Sequence, residues 1–229
     1  IRDDVESRGL GDVYKRQLVM SIARHRVFIS YYHHDDQRYK DYLIKMQEFN
    51  IETMQMQSIF EDFSVHENEI DDTGLSSEQI RCIIRDEYIK DATVLILLCG
   101  ENTKKRKHID WELHAAMYDS PANRQMGIIV INLPTINQGI RASSEEEKPL
   151  LSDFGQWYSI DNRAEFEAQY PYMPSRIIDN FVKEVPITVV EWSRIENHPT
   201  ILKQLIDNAF NRRFDFTYDH SSPLRRQNS

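Results

Sequence analysis

The sequence predicts an α/β fold, a three-layer sandwich in which helices cover both faces of a parallel sheet. Apart from Thr93 and Asn132, residues 93–99 and 127–133 are apolar, as strands covered on both faces are. Segments with apolar residues at helical spacing separate these candidate strands along the chain. Strands that alternate with helices in this way are typical of parallel sheets.

The first predicted strand lies at residues 26–32, a β-branched and aromatic run. Asp35 or Asp36 can cap the helix that follows it. In that helix, apolar residues recur at positions i, i+3, i+4 and i+7, namely Tyr39, Tyr42, Leu43 and Met46. A weaker run at 58–65 predicts a short second strand, before an acidic, loop-like stretch.

The middle of the chain carries the clearest signals. Ser76 and Gln79 have the spacing of a capping box, so a helix is expected from Ser76 to about residue 90. The strand at 93–99 follows, and its helix is expected over about 106–118. The strand at 127–133 is stopped by a proline.

The chain beyond residue 134 is less regular. Residues 137–149 are polar and predict a surface loop, 187–192 predicts a last strand, and Pro199 begins a last amphipathic helix. We therefore predict a core domain over 20–134, a C-terminal α/β extension over 135–218 packed on it, and a flexible tail over 219–229. Residues 1–19 lack an apolar period, and we expect a non-native or disordered leader there, with Met20 as the natural start.

Composition excludes several functions. The formal charge of −9 argues against binding to nucleic acids or anionic membranes, because both require a basic surface. No apolar run reaches the roughly 18 residues of a membrane span. Cys82 and Cys99 have no metal-ligand spacing, so no metal site is predicted, and two reduced thiols are expected in a cytoplasmic protein.

Topology predicts where a ligand binds. In doubly wound sheets the crevice lies at the carboxyl ends of the strands, where the strand order reverses, so residues 30–33 and 100–103 are expected to meet there. Glu112 lies about 60° from Ile109 around the predicted helix and borders its buried face. On spacing alone, Glu112 either complements the helix dipole and pairs with His108 or Lys107, or has a functional role.

The chain also resembles TIR-like proteins, and more narrowly the TIR-like subunit of the bacterial Thoeris antiphage defence system. The motifs that carry the resemblance are residues 26–32, Phe60-Glu-Asp-Phe-Ser64, the helix from Ser76, residues 94–103, Arg106 and Trp111-Glu-Leu113. It covers roughly residues 26–134 and implies a flavodoxin-like fold, with the remainder as an extension. One departure is His108, where relatives often carry tryptophan.

The resemblance implies an enzyme that cleaves the bond between nicotinamide and ribose in NAD. Its product would be a cyclic or conjugated ADP-ribose signal that activates a downstream effector, with assembly into a homo-oligomer on activation. NAD is then the substrate, and no cofactor is needed. Nicotinamide leaves a pyridinium as a neutral molecule, so one carboxylate is chemically sufficient, and the match to the family assigns that role to Glu112.

Ser30 and Tyr32 are candidate pocket residues, although a serine and a tyrosine at a strand end are often structural. Asp62 and Ser64 can contact ribose or form a local turn. Asn102 can hold ribose or phosphate, or cap the next helix.

Trp111 can stack on a substrate ring or pack in the core. The basic residues 104–107 are not assigned to the site, because charge runs are more often solvated. Two other functions stay open: a TIR assembly module without catalysis, and a nucleoside deoxyribosyltransferase-like enzyme, which would share the layered fold and a single glutamate.

Overall fold

The computed structural model describes residues 24–50, 54–64, 74–76, 79, 82–89, 91–121, 124–153, 157, 160 and 162–228. The predicted leader at 1–19 lies outside the described residues. In this described part, the strands are β1 (Arg26–Ser30), β2 (Gln47–Asn50), β3 (Gln55–Ser58), β4 (Glu61–Asp62), β5 (Val94–Cys99), β6 (Gly127–Asn132) and β7 (Thr188–Glu191). The α-helices described are α1 (His33–Ile44), α2 (Lys107–Met117), α3 (Lys148–Leu151), α4 (Arg163–Gln169), α5 (Ser175–Val182), α6 (Trp192–Ile195) and α7 (Pro199–Arg212). A π-helical turn lies at Ile84–Tyr88, and 3₁₀ turns lie at Thr103–Lys105 and Glu145–Glu147.

The central sheet has five parallel strands in the order β4-β1-β5-β6-β7. Numbered within this sheet alone, the order is 2-1-3-4-5, which is the flavodoxin-like arrangement. The strand order reverses between β1 and β5. The α/β prediction and its parallel sheet are therefore confirmed.

Two hydrophobic clusters cover the two faces of the sheet. On one face, Leu95 and Leu97 pack with apolar residues of α2 and α5. On the other, Val94 and Ile96 pack with residues of α1 and α7. Alternate side chains of β5 point to opposite faces and are all buried, which explains its uniformly apolar sequence.

Local signals in the middle of the chain are confirmed in detail. The backbone N–H of Gln79 donates to Ser76 Oγ at 3.2 Å, and that of Ser76 donates to Gln79 Oε1 at 2.8 Å. These two bonds are the reciprocal pair of a capping box. Helix α2 and strands β5 and β6 lie within one or two residues of their predicted limits.

Two predictions about local structure were wrong, and the short second strand was confirmed over fewer residues than predicted. Helix α1 begins at His33 with Tyr32 as its N-cap residue, so Asp35 and Asp36 lie in its first turn and do not cap it. The second strand is only Glu61–Asp62, while β3 pairs with β2 in a separate antiparallel hairpin. Residues 137–149 are more than a surface loop, because Glu147 is fully buried and accepts a 2.6 Å hydrogen bond from Thr188 Oγ1.

The C-terminal segment, predicted as a tail over 219–229, makes specific contacts with the rest of the chain. The backbone N–H of Arg225 donates to Asp110 Oδ2 at 2.8 Å, and Arg176 donates to the carbonyl oxygens of Ser222 and Pro223. Leu224 is 9% exposed. The segment therefore packs along the first turns of α2, through backbone groups that a sequence pattern does not report.

Candidate active site

The crevice predicted by topology lies between the carboxyl ends of β1 and β5. Ser30 is the last residue of β1 and pairs in register with Leu97 of β5. Gly100 follows β5 directly and begins the loop that leads into α2. Side chains from these ends and from the start of α2 therefore converge on one place, as the strand order requires.

Ser30 and Glu112 form the central contact of this crevice. Ser30 Oγ donates to Glu112 Oε2 at 2.6 Å, across 82 residues of sequence. Ser30 is 1% exposed and Glu112 is partly buried. A bond this short is typical of a hydroxyl that donates to an ionised carboxylate. Serine at the strand end thus fixes the orientation of the acid.

The position of Glu112 follows from the helix that carries it. Ile109, Leu113 and Ala116 are buried on the face of α2 that packs on the sheet. Glu112 lies at the side of that face, as its spacing predicted, and points to the end of β1. Burial raises the pKa of Glu112 to about 7, and the hydrogen bond from Ser30 opposes the rise. Both protonation states are therefore accessible near neutral pH.

Asp36 is a second acid at the crevice, and sequence reasoning assigned it only a capping role. It is 3% exposed, and burial together with nearby Asp35 raises its pKa to about 6. A Cβ atom added at Gly100 would lie 3.0 Å from both Asp36 carboxylate oxygens. Glycine at position 100 therefore leaves room for this carboxylate, and the Gly after a strand was the signal that could have found it.

Tyr32 lies two residues after Ser30, and its ring is covered by Arg106. The Arg106 guanidinium carbon lies 3.7 Å from the ring centroid, and Arg106 Nε is buried without a hydrogen-bond partner among the described residues. Tyr32 also packs against the core cluster on the α2 side of the sheet. The pair joins the loop after β1 to the start of α2.

Asp62 and Ser64 are engaged in a local turn. The backbone N–H of Ser64 donates to Asp62 Oδ1 at 2.9 Å, and Ser64 Oγ accepts from the backbone N–H of Ile29 at 2.9 Å. Lys40 Nζ lies 4.0 Å from Asp62 Oδ2. These contacts match the Asx-turn alternative and tie the end of β4 to β1.

Asn102 links the loop after β5 to the first turn of α1, and its side chain makes no capping hydrogen bond to the 3₁₀ turn that follows it. Its Nδ2 donates to Asp35 Oδ2 at 2.8 Å, and its Oδ1 accepts from Lys105 Nζ at 2.9 Å. Trp111 is 1% exposed, and its Nε1 donates to the carbonyl oxygen of Arg225 at 2.8 Å. Its ring is part of the core cluster, which corresponds to the packing alternative for Trp111.

A comparison of the chain with models of known protein families gives a match. Residues 28–138 match the family model for the Thoeris protein ThsB, TIR-like domain. This segment of the chain is similar to the TIR-like domain of Thoeris ThsB proteins. No curated protein matches the chain.

The matched segment of this TIR-like domain includes both Ser30 and Glu112. The extension after residue 138 supplies contacts to α2 from outside the match, through Arg176 and Arg225. No group of three or more His, Cys, Asp or Glu side chains in the described residues could hold a metal ion. None of the described helices combines the length and apolar character needed to cross a membrane. What this crevice offers to chemistry is a carboxylate of raised pKa that a serine orients.

Proposed function

We propose that the TIR-like domain cleaves the bond between nicotinamide and ribose in NAD and makes a cyclic or conjugated ADP-ribose signal. The observation that carries the proposal is the hydrogen bond between Ser30 and Glu112 at the point where the strand order reverses. This crevice is where doubly wound sheets bind nucleotides. The match to the ThsB family adds support for the same region of the chain.

The leaving group needs no proton from the protein. The bond between ribose C1′ and the pyridinium nitrogen breaks, and its electron pair stays on nitrogen, so nicotinamide departs neutral. Positive charge develops on the ribose ring instead. An ionised Glu112 beside that ring would stabilise the charge, and partial burial makes the stabilisation larger than in water.

The same carboxylate can complete the reaction. A hydroxyl group or water attacks C1′ from the vacated side, and its proton must go to a base. Glu112, with a pKa raised to about 7, is well matched to accept that proton near neutral pH. A hydroxyl of the substrate itself gives a cyclic product, a separate nucleophile gives a conjugate, and water gives ADP-ribose.

Glu112→Gln is the variant that tests the proposal. Purified protein is incubated with NAD, with lysate of infected cells or forced oligomerisation as trigger, and nicotinamide release is measured together with product mass. We expect release by the wild type and none by Glu112→Gln. Glu196→Gln is the matched control, because Glu196 is an exposed acid at the end of α6.

Three outcomes would contradict the proposal. Equal turnover by Glu112→Gln would show that Glu112 is not needed for the reaction. A lack of nicotinamide release under every trigger would favour an assembly module. Free base released from deoxyadenosine would identify a nucleoside deoxyribosyltransferase-like enzyme. The mass of the product also distinguishes a cyclic signal from a conjugated one.

The partners belong to the same proposal. NAD is the substrate, no cofactor is required, and a downstream effector responds to the diffusible nucleotide product. We place this activity in the cytoplasm, in antiphage defence, and we expect the chain to form a homo-oligomer when it is activated. Light scattering with and without the trigger measures that assembly.

A further inference from the structure

A second cleft lies at the far edge of the sheet, within the C-terminal extension. Its volume is about 460 Å³, which is in the range of small-molecule sites. Aromatic side chains form much of its wall, namely Trp157, Phe166, Tyr170 and Phe181, and the cations Arg141 and Lys148 also line it. Glu184 is the carboxylate of this lining.

The cleft is separate from the Ser30–Glu112 crevice. Arg141 forms an antiparallel bridge with Val189 on the outer side of β7, whereas Ser30 ends β1. Four strand-to-strand steps separate Ser30 from Arg141 along the hydrogen-bonding direction, which is roughly 19 Å. The two sites therefore lie at separate positions along the sheet.

Arg141 is a cation whose hydrogen bond at the cleft goes to a backbone carbonyl oxygen, while the carboxylates of Glu184 and Glu147 act on its charge without an ion-pair contact. Its Nη1 donates to the carbonyl oxygen of Ile187 at 2.8 Å, and its guanidinium carbon lies 4.8 Å from the Phe181 ring centroid. No carboxylate forms an ion pair with Arg141 in the described part of the chain. Burial lowers its pKa from the ordinary value, which reflects the cost of desolvating the charge.

Two other arginines, Arg176 and Arg194, each bind both a backbone carbonyl oxygen and a carboxylate, as structural guanidinium groups do. Arg176 donates to a carbonyl oxygen and also forms a two-pronged ion pair with Asp110. Arg194 does the same with Leu150 O and Asp153. Arg141 has the carbonyl contact but, within the described ranges, lacks the carboxylate. Its remaining N–H donors are therefore available to an acceptor from outside the protein.

The other groups at the cleft fit an anion as well. Lys148 Nζ lies 5.7 Å from the Trp157 ring centroid and pairs at 2.7 Å with Glu145, whose side chain is 81% exposed. Exposed pairs of this kind contribute little free energy, so Lys148 can turn to a ligand at small cost. Gly139 leaves space for the Gln169 amide, since a Cβ at position 139 would collide with Gln169 Nε2.

We propose that this cleft binds a small aromatic ligand that carries one anionic group, either the phosphate of a nucleoside monophosphate or the carboxylate of an aromatic acid. Arg141 binds the anion, and the aromatic wall packs on the ring. The proposal does not depend on NAD cleavage. Its ligand and its residues are different.

The experiment uses the full chain and matched probe pairs. Calorimetric titration with AMP and adenosine isolates the phosphate, and titration with benzoate and benzamide isolates the carboxylate. We expect the anionic member of at least one pair to bind about tenfold or more tightly than its neutral partner. Which pair shows the preference identifies the source of the anion.

Variants locate the binding site. Arg141→Gln is expected to weaken binding of the anionic probe about 10- to 100-fold, and Arg141→Lys to restore part of it. Lys148→Gln should weaken binding about two- to fivefold, and Glu184→Gln should strengthen it by a similar factor. Glu112→Gln should leave the affinity unchanged. Trp111 and Trp192 are 1% and 4% exposed, so the fluorescence response should come from Trp157 and disappear in Trp157→Phe.

Several results would overturn the proposal. Equal affinity for the neutral and anionic members of both pairs, or no binding of any probe, would refute it. So would wild-type affinity in Arg141→Gln, with circular dichroism showing a folded variant. If Arg141→Gln does not fold, unchanged affinity in both Lys148→Gln and Glu184→Gln would refute it equally. A fluorescence response that persists in Trp157→Phe would place the ligand elsewhere.

Discussion

Replacing Glu112 by glutamine should stabilise the protein at pH 8 while it removes the proposed activity. The pKa of Glu112 rises from 4.5 to about 7 in the folded protein, chiefly because burial disfavours the ionised form. At about 1.4 kcal/mol per pKa unit, ionisation costs the folded state roughly 3 kcal/mol more than the unfolded state. A folded-state pKa above the unfolded value gives stability that is present below pH 4.5 and lost as the pH rises through 7.

Glutamine keeps the shape of glutamate and can accept the hydrogen bond from Ser30, but it never ionises. The unfolding free energy of Glu112→Gln minus that of the wild type should therefore grow by about 2 to 3 kcal/mol between pH 5 and pH 8. Urea unfolding at the two pH values measures this difference, in which the titration of all other groups cancels. Glu196→Gln, an exposed acid, should show no comparable change.

A difference that stays constant between pH 5 and pH 8 would refute the reasoning. It would mean that Glu112 is solvated as freely in the folded protein as in the unfolded chain. In that case the Glu112 carboxylate has an ordinary pKa, and it is no longer well suited to accept a proton at neutral pH.

Three further substitutions test close contacts elsewhere. Gly100→Ala should cost about 1 to 3 kcal/mol of unfolding free energy, because the new Cβ meets the Asp36 carboxylate. Asp36→Ala in the same chain should recover most of that loss, and a double-mutant cycle measures the coupling between the two positions. Arg176→Met should cost about 3 to 5 kcal/mol in chemical unfolding, because it leaves the buried Asp110 carboxylate without its ion pair. Gly127→Ala should lower the melting temperature strongly, since its Cβ would collide with the backbone carbonyl of Ala209 in α7.

Some of this site was predictable because its signals are local. The uniform apolar runs of β5 and β6 report strands buried on both faces, and the capping box at Ser76 reports a helix start. The position of Glu112 beside the buried face of α2 follows from helical periodicity alone. Topology then brought Ser30 to the same crevice, where the structure places it.

Other features depend on contacts that no local pattern contains. Asp36 looked like a capping residue, and its burial against Gly100 depends on how β1 and β5 lie side by side. The acidic run that ends at Glu147 looked solvated, yet Thr188 and Asn208 bind its carboxylate from more than 40 residues away. The β2–β3 hairpin was missed because Phe49 and Met56 pair across it while both stay exposed, which leaves no buried face to detect.

The role of the extension follows from what holds α2 in place. The proposed catalytic glutamate lies two residues after Asp110, and Asp110 is bound by Arg176 from α5 and by the backbone of Arg225. Trp111, between them, donates to the carbonyl oxygen of Arg225 across 114 residues of sequence. The first two turns of α2 are thus fixed by parts of the chain beyond the family match. A TIR-like domain cut at residue 138 would keep Ser30 and Glu112 but lose the contacts that Arg176 and Arg225 make with the first turns of α2, so the extension is a structural part of the proposed active site.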